Sequence, residues 1–179
     1  IVDKAYLLVA KNGLSALCNP DDFLNEQSRL EKDTKAFMYG KVVNKKARHN
    51  LCFDLHGQSP NYEQGQGRII SFNEVPLLNT VRLSLPLIIG EKANDLKAEG
   101  NYYYDVTKCG IGHHGDSERR RVIGIRVGAT LPLRYQWYHQ SKPFGPAMDF
   151  HLNHGDIYIM SEKAVGTDWK KRNTPTLRH

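Results

Sequence analysis

The chain has 179 residues, 40% of them hydrophobic and 25% charged, which excludes disordered and fibrous classes and suffices for one sound core. Its 25 Lys and Arg against 19 Asp and Glu give +6 at pH 7, a balance suited to polyanions such as nucleic acid and equally to a plain basic enzyme. The longest apolar runs, such as that around Leu83 to Ile89, are interrupted by Ser84 and Pro86, far short of the ~20 residues of a membrane span, so no membrane partner is expected. Cys18, Cys52 and Cys109 are odd in number and lack CxxC spacing, which argues for a reducing compartment such as cytoplasm or nucleus. No signal peptide is expected, and a first residue Ile1 and a last residue His179 suggest a trimmed fragment.

In chain order, Ile1 to Ala10 reads as a strand. Asn19-Pro20-Asp21-Asp22 starts a helix, with a capping side chain, proline in the first turn and acids at the positive end of the dipole. Phe23, Leu24, Leu30 and Phe37 continue it at roughly helical spacing until Gly40. Gln58 to Gly67 is a polar loop and Arg68 to Val75 a strand. Glu91 to Glu99 reads as a short helix closed by Gly100. From Asn101 short apolar runs alternate with turn residues: Tyr102 to Tyr104, Val122 to Val127, Leu133 to Tyr138, Phe150 to Leu152, Ile157 to Met160 and Thr176 to Leu177. Strands at that spacing predict a sandwich or barrel. The expected class is mainly β with flanking helices (α+β), a jelly roll buttressed by N-terminal helices. A single domain 1–179 is expected, with the change of texture between 1–100 and 101–179.

The stretch Gly110-Ile111-Gly112-His113-His114-Gly115-Asp116 carries the chemistry. Residues two apart on a strand share a face, so His114 and Asp116 can take adjacent corners of one metal while His113 faces away. Two histidines and one carboxylate on one face of an ion leave positions open and suit non-haem Fe(II) and oxygen chemistry.

The order Asn101-Tyr102-Tyr103, His114-Gly115-Asp116, Val122 to Gly128 and His154-Gly155-Asp156 resembles the 2-oxoglutarate/Fe(II) dioxygenases, most closely their AlkB-like branch, which repairs or modifies nucleobases. The stretch Glu118-Arg119-Arg120-Arg121-Val122-Ile123 is similar to algal and viral members, a resemblance that implies a virus-infected host cell as a further location. The resemblance covers roughly Asn101 to His179. It leaves out the first hundred residues, where AlkB-like proteins carry a variable nucleotide-recognition lid. It implies a double-stranded β-helix, Fe(II) as metal, 2-oxoglutarate as co-substrate, His114 and Asp116 as two ligands, Asn101 and Tyr103 as co-substrate contacts, and a structural role for His154. The third ligand departs from the family. No histidine lies between Asp156 and Arg172, and the Asp-Trp-x-His pattern of the family would put Lys171 in the ligand position. In one reading Ser161 to Pro175 is an insertion, His179 is the distal ligand, and the basic residue for the co-substrate lies past the end of the chain. In the other, Arg172 and Arg178 belong to the closing strand that grips the co-substrate carboxylate, and the triad is incomplete. The first is carried forward, because a facial triad needs its third ligand.

Arg119, Arg120 and Arg121 beside the motif can clamp phosphates or form a solvated turn. Lys45, Lys46 and Arg48 can belong to a nucleic-acid-facing lid or to a plain basic surface. The expectation is a monomeric dioxygenase oxidising a methyl or alkyl carbon on a nucleobase, in DNA rather than RNA. A hydroxylase of protein or small molecules and a metal-free jelly-roll module binding nucleic acid are the alternatives.

Overall fold

The computed structural model describes residues 2–179, so Ile1, the start of the expected first strand, lies outside them. In chain order the elements are β1 (Leu7–Ala10), α1 (Pro20–Ser28), β2 (Lys35–Met38), β3 (Lys41–Asn44), β4 (His49–Asp54), β5 (Ile69–Ser71), α2 (Pro76–Ile89), β6 (Ala98–Tyr102), β7 (Val122–Ile125), β8 (Leu131–His139), β9 (Lys142–Leu152), β10 (Ile157–Met160), α3 (Glu162–Val165) and β11 (Thr176–Arg178). The class is mainly β with a few helices. Contacts divide the chain into two compact units where the sequence suggests one domain. The first comprises residues up to Ala16 together with Ile111–His179, and the second is Leu17–Gly110. The division falls ten residues after the change of texture at 101, and the first strand joins the C-terminal half.

The first unit holds two antiparallel sheets, β1-β10-β7 and β11-β8-β9. Leu133, Tyr135, Leu152 and Leu177 of the second sheet share a buried cluster with Met160, and Leu7, Val9, Val122 and Tyr158 of the first sheet pack against it. The sheets therefore face each other across an apolar layer, as alternating strands require. Ala164 and Val165 of α3 join the same layer. Ahead of β10 the turn His154-Gly155-Asp156 is fully committed. Asp156 is 2% exposed and accepts hydrogen bonds from the N–H groups of Asn12 and Asn153 and from Lys11 Nζ. Burial pushes its carboxyl up, and those donors outweigh it and hold the group below its ordinary value. His154 Nδ1 accepts from the Gly128 N–H at 2.9 Å, in line with a structural role.

In the second unit Asn19 caps α1 as expected, accepting from Asp21 and Asp22 N–H. The helix ends at Ser28 and does not run to Gly40. Asp33 draws the chain into a sheet: it is 4% exposed, bridges Asn50, and its carboxylate accepts from Tyr62 Oη and the Arg68 N–H. Phe37 consequently lies in β2, and Gly40 turns a hairpin into β3. The expected strand Arg68 to Val75 is cut at Ser71. There the Ser71 hydroxyl accepts from Asn73 N–H and Glu74 returns a bond to Ser71 N–H, a capping box that starts a 3₁₀ turn. The apolar run through Ser84 and Pro86 is helical, the end of α2. Its first turn is capped from 51 residues away by Glu26, whose carboxylate accepts from Leu77 and Leu78 N–H at 2.8 and 3.0 Å. Of the helix expected at 91–99 only a 3₁₀ turn at Glu91–Ala93 forms. Gly100 lies inside β6 opposite Leu51, pairing that overrides weak local propensity.

Candidate metal centre

The site is built by one backbone exchange. His114 N–H donates to His179 C=O and His179 N–H donates to His114 C=O, both at 2.9 Å. Such reciprocal bonding marks two directly opposed antiparallel residues, whose side chains share a face. Because Arg178 pairs with Gln136, the segment at 114 extends the sheet beyond β11. Asp116 N–H donates to Val165 C=O at 3.0 Å, which fixes the next position along. Gly115 between them has no room for a side chain: a Cβ there would run into Gly166 C=O and come within 2.7 Å of Trp169 Cβ.

Three donors converge as a result. His114 Nε2 lies 3.9 Å from Asp116 Oδ1, and His179 Nε2 lies 3.8 Å from Asp116 Oδ2. The imidazole rings are 4.7 Å apart, and all three ligand atoms fall within 4.8 Å of one another. Donors at right angles on an ion with ordinary 2.0–2.2 Å bonds sit about 3 Å apart, a contraction within reach of side-chain rotation at Asp116, which is partly exposed. His114 Nδ1 lies 3.0 Å from Gly112 C=O; donation there leaves Nε2 as the lone-pair atom, the outer-shell arrangement common to metal-ligating histidines. The His179 side chain is only 10% exposed. Burial first, then the neighbouring His114, push it down to about 4, with Asp116 opposing. The Ala164 backbone also favours the protonated ring but makes no aligned hydrogen bond, and His179 Nδ1 is buried without a partner. A neutral imidazole beside a carboxylate is the state a metal requires. The group His114–Asp116–His179 could therefore hold a metal ion.

The other expected site residues are placed as follows. His113 faces away, its Nδ1 3.3 Å from Tyr138 Oη. Arg178, at the end of β11 and next to His179, lies with its guanidinium 4.0 Å from the Tyr138 ring and 5.2 Å from the Trp169 ring, and donates to Trp169 C=O. Arg172 lines a separate open depression of about 460 Å³ with Gln140, Lys142 and Asn173. Lys171, at the position where the family pattern has its histidine, is exposed. Arg119, Arg120 and Arg121 are exposed, and Arg119 Nη1 is 3.7 Å from Asp116 Oδ2. Asn101 and Tyr103 belong to the second unit, where Asn101 Oδ1 accepts from Arg48 Nε at 2.7 Å. Lys45 and Lys46 are in that unit too, Lys45 bonded to Asn50.

Sequence reasoning missed Trp169 and Tyr135. Trp169 touches Gly115, donates from Nε1 to Ser117 Oγ at 3.1 Å, and lines a cavity of about 240 Å³ with Asp116, Arg119 and Lys170. Gly166-Thr167-Asp168-Trp169, with Gly166 at φ +74°, held the signal of a tight approach. Tyr135 is 2% exposed, its ring 5.7 Å from that of His179 and its hydroxyl without a partner.

Fold and site together define a mainly β protein with a His₂Asp group able to hold a metal ion. No model of a known protein family matches the chain. It is 60% identical over 176 residues to a protein of Acanthamoeba polyphaga mimivirus called "Uncharacterized protein R156", a match spanning 98% of this chain and 69% of that protein. The chain belongs to the family of that mimivirus protein. No helix among the described residues is long and apolar enough to cross a membrane.

Proposed function

We propose that the chain is an Fe(II)- and 2-oxoglutarate-dependent dioxygenase of double-stranded β-helix fold, oxidising a methyl or alkyl carbon on a nucleobase in DNA or RNA. The observation that carries this reading is the convergence of His114, Asp116 and His179, brought together across more than sixty residues by paired backbone bonds. Two facing antiparallel sheets with the donors at one edge of the apolar layer support the β-helix fold. The nucleobase substrate rests on the net charge of +6 and on the resemblance of residues 101–179 to AlkB-like enzymes.

With 2-oxoglutarate and O₂ as co-substrates, Fe(II) would supply oxidation of an unactivated C–H bond, one oxygen atom going to the substrate carbon and the other to succinate as CO₂ is lost. His114 and His179 would bind the metal through Nε2 and Asp116 through one carboxylate oxygen, leaving the opposite face open. Gly112 C=O holds the His114 tautomer, and the apolar layer behind His179 keeps that ring neutral and excludes water. The partnerless Tyr135 hydroxyl is a buried donor for a co-substrate oxygen. Arg119 holds positive charge beside Asp116 at the rim.

The test is anaerobic absorbance with Fe(II) and 2-oxoglutarate. A weak visible charge-transfer band that disappears in His114→Ala and in His179→Ala is expected. No band, with Fe(II) bound normally, would overturn the co-substrate assignment; no metal binding at all would overturn the centre. Succinate formation that methylated oligonucleotides leave unchanged would redirect the substrate to protein or small molecules.

A further inference from the structure

The net charge of the chain is concentrated in one short stretch of the second unit. Between Thr34 and Asn50 stand Lys35, Lys41, Lys45, Lys46 and Arg48 and no carboxylate. Without these five, the remaining 20 Lys and Arg face 19 Asp and Glu. The stretch is the β2–β3 hairpin and its base, where Lys45 N–H closes the ribbon on Thr34 C=O at 2.8 Å.

The same hairpin leaves aromatic surface in water. Among the described residues its strands form a ladder only with each other. Phe37 and Val42 are directly opposed in the ladder, 46% and 37% exposed, and Tyr39 at the turn is 91% exposed. Tyr39 (φ 55°) and Gly40 (φ 76°) both take the left-handed conformation of a tight two-residue turn, which presents the tip in a fixed geometry. Lys35 shares the outward face of Phe37 by strand alternation, and Lys35 and Lys41 have no ion-pair partner among the described residues. Both strands rest against the 3₁₀ turn at Tyr62–Gln64, and folding gains nothing from turning large apolar side chains outward into water. Apolar surface ringed by unpaired charge marks a contact surface.

We propose that the β2–β3 hairpin binds single-stranded nucleic acid, bases lying on Phe37 and Tyr39 while Lys35 and Lys41 meet phosphates. Exposed ring faces beside free lysines match a ligand that is an anion along its backbone and an open π-face at every base. A duplex offers the lysines its phosphates but hides its base faces, and an acidic peptide offers no faces to stack. The proposal does not depend on the metal, so binding is measured with chelator present and its failure is separate from failure of the dioxygenase reading.

The experiment is fluorescence anisotropy of the 179-residue chain with labelled oligo-dT, the matching duplex, and vesicles rich in phosphatidylserine. Expected is oligo-dT binding that weakens with salt, with the duplex and vesicles bound more weakly. Tyr39→Ala should weaken it about five-fold or more, the range of one stacking contact, with its salt slope retained; a side chain so exposed contributes little to folding, so the variant stays readable. Lys35→Glu/Lys41→Glu should lower the slope of log affinity against log salt by about 1.4, roughly 0.7 per lost phosphate contact. Lys92→Glu/Lys142→Glu, an equal change in net charge at exposed sites elsewhere, should act far less. Equal losses in both double variants, no effect of Tyr39→Ala, or tighter binding to duplex or vesicles would overturn the proposal.

Discussion

The first unit contains the tripeptide His-Gly-Asp twice, and the two copies do opposite things. In His154-Gly155-Asp156 every strong acceptor is occupied: Asp156 takes two backbone N–H groups and a lysine, and His154 Nδ1 takes the Gly128 N–H. In His114-Gly115-Asp116 the polar atoms point at one another and at His179, with 3.8 and 3.9 Å between imidazole and carboxylate. The difference is not in the tripeptide. The second copy is a turn whose neighbours supply donors. The first is an extended segment opposed to a third histidine, and its neighbours supply few. A carboxylate between two ring nitrogens at 3.8 and 3.9 Å leaves lone pairs that a cation can take, so unspent lone pairs, not the motif, distinguish a site from a brace.

The sharpest way to break this comparison is to neutralise each carboxylate in turn. Asp116→Asn should reduce Fe(II) or Co(II) affinity by more than the 10–100-fold typical of losing an outer-shell partner, while leaving the urea midpoint unchanged or higher. Asp156→Asn should do the reverse, costing about 2 kcal/mol of stability through weakened charge-assisted bonds with metal affinity nearly intact. Titration calorimetry and urea unfolding on the same two proteins check both. If each variant lost both properties, the two tripeptides would have to be treated as one cooperative structure.

Local chemistry was readable in the sequence, and long-range pairing was not. Asn19 announced its helix because capping acts over three residues, and His114 with Asp116 announced a shared face because strand alternation is local. His179 could be assigned only through the resemblance, since the backbone exchange that opposes it to His114 joins residues 65 apart and leaves no periodicity. The same holds for α2, whose cap is Glu26. It also holds for Trp169, which contacts Gly115 from a segment expected to be an insertion. Where local spacing misled, as with Phe37 read as the end of a helix, a buried non-local partner (Asp33 with Tyr62 and Arg68) decided the chain's course.

A smaller effect separates the two copies by pH. His179 is held at about 4, against an ordinary 6.5, chiefly by burial. Its folded value being the lower, the unfolded chain takes up the proton first, so the metal-free protein keeps this contribution above about pH 6.5 and loses it as pH falls toward 4. A shift of that size corresponds to roughly 3 kcal/mol. Asp156, whose carboxyl is also held low, acts in a different window: its contribution is present above its unfolded value near 4 and is lost only below that. Urea midpoints from pH 7 to 4 should therefore decline in the parent protein and flatten in His179→Asn, whereas Asp156→Asn should keep the decline. A slope that persists in His179→Asn would assign it to another group.

The smallest effect concerns how the first copy is held without donors of its own. Trp169 stands against Gly115, bonds Ser117 through Nε1, and accepts from Arg178 at its carbonyl, so it touches the segments on both sides of the paired histidines. Trp169→Phe keeps an aromatic side chain and the carbonyl that Arg178 bonds, and removes the pyrrole ring with its N–H; about 1–2 kcal/mol of stability is the expected loss, the bond and the lost packing together. If that bond orients Asp116 one residue away, metal affinity should fall a few-fold as well, Ser117→Ala should reproduce the loss of affinity, and the double variant should bind the metal no more weakly than either single one. Equal loss of stability with unchanged affinity would reduce Trp169 to packing, and the first copy would then owe its geometry to its backbone bonds with His179 and Val165.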